Sequence, residues 1–64
     1  MKLKDLLPYI SSDANIRIVD RKYNVVYEGL MMFAYNDIAV EYYNYTIRAI
    51  FNGSYINAIV IELK

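Results

Sequence analysis

The amino-acid sequence predicts a small α+β fold: an antiparallel sheet of about four strands packed by a short N-terminal helix, with a second short helix around residues 37–43. Three observations lead to this prediction. Apolar residues recur at helical spacing near the N-terminus, β-rich runs follow, and polar clusters separate those runs. At 64 residues the chain has room for one domain, residues 1–64.

The first segment is predicted to be a short amphipathic helix that covers the sheet. Pro8 lacks a backbone N–H and disfavours helical geometry at the residue before it, so we expect the helix to end after a turn or two. Charged side chains separate the apolar residues of this segment. The apolar residues at helical spacing are Leu3, Leu6, Leu7 and Ile10.

Two β-rich runs come next and are predicted to form a hairpin. A polar break at residues 11–15 precedes the first run, residues 16–19. Residues 20–24 supply polar turn chemistry before the second run, residues 25–28, and Gly29 is expected to close that strand or to form a bulge.

The middle of the chain, residues 30–44, carries mixed signals. Its apolar start could extend a strand, whereas Asn36 or Asp37 could cap a short helix. We favour a helix over residues 37–43.

The last third gives the clearest pattern, a β-hairpin. Two β-rich runs, residues 45–51 and 55–63, flank Asn52 and Gly53, which together readily adopt the positive φ angles of a tight turn. An ion pair between Arg48 and Glu62 is predicted on the outer face, although apolar residues fall there too. Strict alternation predicts that the core takes Ile47, Ala49, Phe51, Ile59, Ile61 and Leu63.

Composition excludes several classes of protein. Without cysteine or histidine, the chain has no disulfide framework and lacks the usual ligands of zinc, haem and iron–sulfur clusters, so we expect no metal and no cofactor. Its carboxylates are scattered and its serines have no histidine to activate them, so we expect no catalytic residues and no enzyme activity. A metal-dependent or otherwise unrecognised enzyme is the weakest alternative.

The N-terminus and the hydropathy pattern predict a cytoplasmic protein. Residues 1–10 contain charges and a proline and have no small-residue cleavage site, so they do not resemble a secretory signal. No apolar stretch reaches the roughly 18 to 20 residues that a membrane-spanning helix needs.

The tyrosine content is the compositional anomaly, with 8 tyrosines in the chain. Tyrosine and methionine are enriched at interfaces because they bury large surfaces and adapt to a partner. These rings could cover a thin core, form the contact of a homodimer, or bind a different protein. Between the two oligomeric states, we favour a homodimer over a monomer. The candidate interface contains Met31, Met32, Phe33, Tyr35, Tyr42, Tyr43 and Tyr45.

A second function class is binding of single-stranded nucleic acid on the sheet. Aromatic residues interleaved with basic ones can stack on bases, and Arg17 and Arg48 lie on predicted strands with several tyrosines. However, 7 basic and 7 acidic residues cancel, so the chain lacks the positive charge that drives such binding. Nucleic acid is therefore the alternative to a protein-binding or adaptor module.

Three short runs, residues 3–7, 16–20 and 25–29, resemble a group of short uncharacterised proteins from Gram-positive bacteria and their phages. The resemblance covers about the first half of the chain. It implies an N-terminal helix, a hairpin, a variable middle and a closing pair of strands. It also implies a phage or prophage origin with a role in binding a host protein. In that group the turn of the first hairpin contains a glycine, whereas residues 21–24 of this chain contain none.

Overall fold

A computed structural model describes all 64 residues and shows an α+β fold built on a four-stranded sheet. The strands are β1 (Asn15–Val19), β2 (Val25–Leu30), β3 (Ile47–Gly53) and β4 (Ala58–Leu63). The helices are α1 (Leu3–Leu6) and α2 (Ala34–Asp37), with short 3₁₀ turns at Leu7–Tyr9, Met31–Phe33 and Val40–Asn44. The predicted fold class, with its N-terminal helix, is confirmed.

The sheet joins two hairpins through a central parallel pair. Strand order is β2-β1-β4-β3; β1 with β2 and β3 with β4 are antiparallel, as the two predicted hairpins require. β4 lies parallel to β1, so the sheet is mixed rather than wholly antiparallel. The helical segment between β2 and β3 makes this arrangement feasible, because parallel neighbours need a long crossover connection.

Both predicted helices are present in shortened form. α1 ends at Leu6, and Pro8 lies in the 3₁₀ turn that follows, as expected from its missing N–H. In the middle segment the helical residues start earlier than residue 37 and are interrupted. Ile38 and Ala39 have extended backbone, and the Ile38 side chain is buried, so α2 ends before the turn at Val40–Asn44.

The core lies between one face of the sheet and the helical segments, and we call this side the covered face. Ile61 and Leu63 are fully buried there, as predicted, while Ile47 and Ile59 are partly buried and pack against the cluster. The buried cluster consists of Leu3, Leu7, Ile16, Ile18, Tyr27, Met31, Ala34, Ile38, Ile61 and Leu63.

Two of the predicted core residues, Ala49 and Phe51, lie on the other face. The register shifts between Ile47 and Ala49, so that Ala49 pairs with Glu62 and Phe51 with Val60. A β-bulge adds one residue to a strand and thereby reverses the faces of all residues beyond it. The prediction for Ala49 and Phe51 was therefore wrong, and Phe51 is exposed.

The turn of the second hairpin also differs from the prediction. Gly53 still belongs to β3 and pairs with Ala58, so the connection is residues 54–57 rather than Asn52 and Gly53. Ile56 N–H donates a hydrogen bond to Gly53 C=O (3.1 Å), and Asn57 takes the positive φ, +50°. Asparagine tolerates this left-handed geometry better than most residues, so the turn forms two residues later.

Candidate functional site

The face of the sheet opposite the core carries no helix, and we call it the open face. The register puts Arg17 beside Val60 and Val19 beside Glu62 in the two central strands. Alternation then brings outward-facing residues of all four strands together: Arg17 and Val19 of β1, Val25 and Glu28 of β2, Phe51 of β3, and Val60 and Glu62 of β4.

A shallow apolar groove of about 320 Å³ crosses this face. Val19 and Val60 in the central strands are buried, whereas Val25 and Phe51 on the outer strands are 56% and 47% exposed. Such a graded surface, apolar in its middle and still accessible at its sides, can bind another apolar surface. Lone exposed apolar residues are common on proteins, but a contiguous apolar groove is a feature of binding sites.

Two tyrosines border the groove at opposite ends of the strands. Tyr23 belongs to the turn after β1, and Tyr55 to the turn before β4, which runs parallel to β1. Both line the groove, and both side chains are largely or fully exposed. Exposed tyrosines at a groove supply large contact area together with a hydroxyl for hydrogen bonding.

A carboxylate fixes the turn that carries Tyr23. Asp20 Oδ1 accepts hydrogen bonds from Lys22 N–H (2.8 Å) and Asn24 N–H (2.9 Å), while Tyr23 takes a φ of +64°. Partial desolvation raises the pKa of Asp20, but the hydrogen bonds from Asn24 and Lys22 outweigh it and hold the pKa below its ordinary value. The turn is thus an Asx-type turn that positions Tyr23 before any partner binds.

The charges of the open face are compensated within the chain. Arg17 Nε lies 2.6 Å from Glu28 Oε1, and Arg48 Nη2 lies 2.8 Å from Glu62 Oε1, which confirms the predicted pair. The hydrogen bond from Arg17 lowers the pKa of Glu28, and the reciprocal hydrogen bonds raise the pKa of both arginines. Arg48 also places its guanidinium carbon 5.4 Å from the centre of the Tyr23 ring.

The predicted interface in the middle segment divides into buried and exposed residues. Met31 belongs to the core, and Tyr42 and Tyr43 are half-buried and pack against it. Four members remain exposed, and we call them the middle-segment surface: Met32, Phe33, Tyr35 and Tyr45.

The tyrosines of this segment form two aromatic pairs. Ring centres of Tyr35 and Tyr43 are 6.3 Å apart, and the Tyr43 hydroxyl donates to Tyr35 C=O (3.2 Å). Tyr42 and Tyr45 meet edge to face at 5.0 Å. Part of the tyrosine surface is therefore used in packing within the chain, which is the alternative that the sequence left open.

Sequence reasoning missed the groove, although one signal for it was present. Val60 alternates with the core residues of β4, so its outward position was visible, whereas Phe51 was assigned to the core. Tyr23 had no strand pattern, but the Asp20 to Asn24 spacing is typical of an Asx turn.

The carboxylates do not converge. The structure contains no group of three or more histidine, cysteine, aspartate or glutamate side chains that could hold a metal ion. None of its helices is both long and apolar enough to span a membrane. No protein-family model, curated protein or solved structure matches the chain.

Proposed function

We propose that this chain is a small non-catalytic protein-binding or adaptor module that docks a partner protein on the open face of its sheet. The observation that carries the proposal is the apolar groove, with buried Val19 and Val60 in its middle and exposed Val25 and Phe51 at its sides. Interfaces combine an apolar centre with a polar rim, and here the ion pairs and tyrosine hydroxyls supply the rim.

The ion pairs favour a protein partner over nucleic acid. Binding to a phosphate backbone gains its strength when free lysine or arginine side chains displace counterions. Arg17 and Arg48 are each paired with a glutamate of the same face. A polyanion would have to compete with Glu28 and Glu62, whereas a neutral apolar surface would leave both ion pairs in place.

The proposal keeps the middle-segment surface as a second contact region. Met32, Phe33 and Tyr35 are each about half exposed and lie within four consecutive residues. The sequence alone favoured this Tyr/Met-rich surface for binding. The open face has the stronger support, because it is a contiguous groove that four strands hold in place.

Further parts of the proposal derive from the sequence. They are a homodimeric state, a host protein as partner, a phage or prophage origin and a cytoplasmic location. The homodimeric state follows from the composition, because 58% hydrophobic residues is more than a chain of this size can bury alone. The partner and the origin follow from the resemblance of residues 3–7, 16–20 and 25–29 to short phage-associated proteins, and the location from the N-terminal and hydropathy pattern.

The test is affinity capture from source-cell lysate, followed by titration of the purified captured protein against defined variants. The open-face variant is Val25→Ser with Phe51→Ser, and the middle-segment variant is Phe33→Ser with Tyr35→Ser. Tyr9→Ser is the matched control, because Tyr9 is 87% exposed and lies outside both surfaces. All of these positions are exposed, so the variants should keep the fold.

We expect the open-face variant to weaken binding about tenfold, because the apolar contact area that the two side chains lose together corresponds to roughly 1.4 kcal/mol. The control should bind like the wild type. Loss of binding in the middle-segment variant alone would move the site to that surface. Salt-sensitive binding of a fluorescent single-stranded oligonucleotide, abolished by Arg48→Glu, would replace the proposal with the nucleic-acid alternative.

A further inference from the structure

One edge of the sheet has no neighbouring strand along most of β3. β3 pairs with β4 alone, and the N-terminus covers only its beginning: Lys2 bridges to Thr46, and Ile47 N–H donates to Met1 C=O (2.8 Å). Residues 48–53 have no neighbour on that side. Lysine and proline, which commonly block edge strands, are absent from β3.

Apolar side chains are exposed on both faces of this edge. Ile50 and Phe51 are each 47% exposed. Ile50 pairs with Ile61 and so belongs to the covered side, whereas Phe51 pairs with Val60 on the open face. A partner on either face would cover only one of them, but a strand added at the edge would cover both.

The hydrogen-bonding pattern leaves backbone groups free at the centre of the edge. Lys64 N–H donates to Thr46 C=O within the sheet, and Ile47 N–H donates outward to Met1 C=O. The bulge then sets two residues, Arg48 and Ala49, against Glu62. Continued alternation directs the N–H and C=O of Ile50 away from β4, in position to bond a further strand.

We propose that β3 pairs antiparallel with β3 of a second copy of this chain, with Ile50 opposite the second copy's Ile50. In this register Phe51 lies opposite the second copy's Ala49, so a large side chain meets a small one. The bulge at Arg48 ends the regular pairing, and the Arg48 side chain stays with Glu62 on the open face, so no like charges face each other.

The charges of β3 do not oppose a second copy as the occupant. Arg48 is the one charged side chain of β3, and Glu62 already neutralises it at 2.8 Å. The chain as a whole has no net charge, so two copies do not repel. The two-fold axis that relates the two copies is perpendicular to the sheet. Both open faces therefore lie on the same side of the dimer and form one wider surface.

The dimer should be weak, because a strand-to-strand contact buries less than the roughly 800 Å² per partner of a standard interface. We expect dissociation at concentrations on the order of tens of micromolar. The inference rests on the homodimeric state proposed above but not on the open face, so it can fail while partner binding at the open face holds.

The first experiment is sedimentation velocity over a concentration series spanning that range. Ile50→Lys places a charge at the edge and should give a monomer at every concentration. Tyr9→Lys is the control for an added charge, because Tyr9 is 87% exposed and lies outside the sheet and the groove, and it should still dimerise. A monomeric wild type throughout, or a monomeric Tyr9→Lys beside a dimeric Ile50→Lys, would overturn the proposal.

The second experiment needs no substitution and guards against an Ile50→Lys variant that fails to fold. Amide hydrogen exchange of the wild type is followed by NMR at low and high protein concentration. The amide of Ile50 should become at least about tenfold more protected in the dimer, while the amide of Phe51, which points to β4, should not change. Equal exchange of Ile50 at both concentrations, in a sample that dimerises, would exclude this edge.

Discussion

The two faces of the sheet use the same residue types with opposite results. On the covered face, Ile16, Ile18 and Ile61 are fully buried beneath the helical segments. On the open face, Val19 and Val60 are buried but Val25 and Phe51 remain about half exposed, and two arginine–glutamate pairs lie among them. The difference shows that hydrophobicity alone does not decide the role of a strand residue in a sheet that has helices on one side only. Stability should therefore depend on one face and binding on the other.

The largest expected effect comes from Ile61→Ala. Ile61 is completely buried in the central strand β4, so its truncation leaves a cavity and should lower the free energy of unfolding by about 2 to 5 kcal/mol. The matched change on the other face, Phe51→Ala, should lower it by only about 1 kcal/mol, because half of that ring is already exposed. Urea unfolding followed by circular dichroism measures both.

Ile59→Ala should fall between them, since Ile59 is only partly buried. If Phe51→Ala proved as destabilising as Ile61→Ala, the open face would be part of the core, and the division between the faces would be wrong. An unchanged stability of Ile61→Ala would contradict the strand register itself.

A smaller loss is expected from Gly29→Ala on the covered face. Gly29 has a φ of +147°, and an added Cβ would lie 3.0 Å from the Tyr27 hydroxyl oxygen. Strained backbone of this kind should reduce the free energy of unfolding by about 1 to 3 kcal/mol. Combining Gly29→Ala with Tyr27→Phe separates the causes, because Tyr27→Phe removes the close oxygen and leaves the backbone strain.

Tyr27→Phe must also be measured alone, since the Tyr27 hydroxyl donates to Leu30 C=O. Wild-type stability in Gly29→Ala would mean that β2 adopts another backbone geometry at this position. The Tyr27 phenol offers a second readout, because burial and the nearby Asp37 carboxylate raise its pKa. If Gly29→Ala loosens the packing around Tyr27, the pKa of the Tyr27 phenol should return towards its ordinary value.

Local patterns in the sequence predicted most elements of this fold. The spacing of Leu3, Leu6 and Leu7 gave the N-terminal helix, and alternation gave four strands and the Arg48–Glu62 pair. The parallel pairing of β1 with β4 joins residues far apart in the chain, and no local pattern encodes it. The bulge before Ala49 was missed for a related reason, since it depends on how two strands pair.

The candidate surfaces were harder to predict because exposure depends on packing. Met31 and Met32 are neighbours of the same type, yet Met31 is buried and Met32 is half exposed. Phe51 was expected in the core and lines the groove instead. The residue types indicated that the chain has more apolar side chains than its core can bury. Only the three-dimensional packing shows which of these side chains stay accessible.

The smallest expected effect is a dependence of stability on acidity that originates on the open face and its turn. The folded state lowers the pKa of Glu28, through Arg17, and of Asp20. A carboxyl with a lowered folded pKa stabilises the fold above its unfolded pKa, and that stabilisation is lost as the pH falls through the folded pKa. The free energy of unfolding should therefore decline below the ordinary values of 4.5 for Glu28 and 3.8 for Asp20.

Urea unfolding at a series of pH values tests this, with Glu28→Gln combined with Asp20→Asn as the comparison. Both substitutions keep hydrogen-bond acceptors and remove the titrating groups, so the acid-dependent decline should be shallower than in the wild type. Ile61→Ala is the control, because it changes only the covered face and should lower the whole curve without altering its slope. An equally steep decline in the double variant would mean that other carboxyls cause the acid dependence. It would contradict the claim that charged groups of the open face and its turn stabilise the fold.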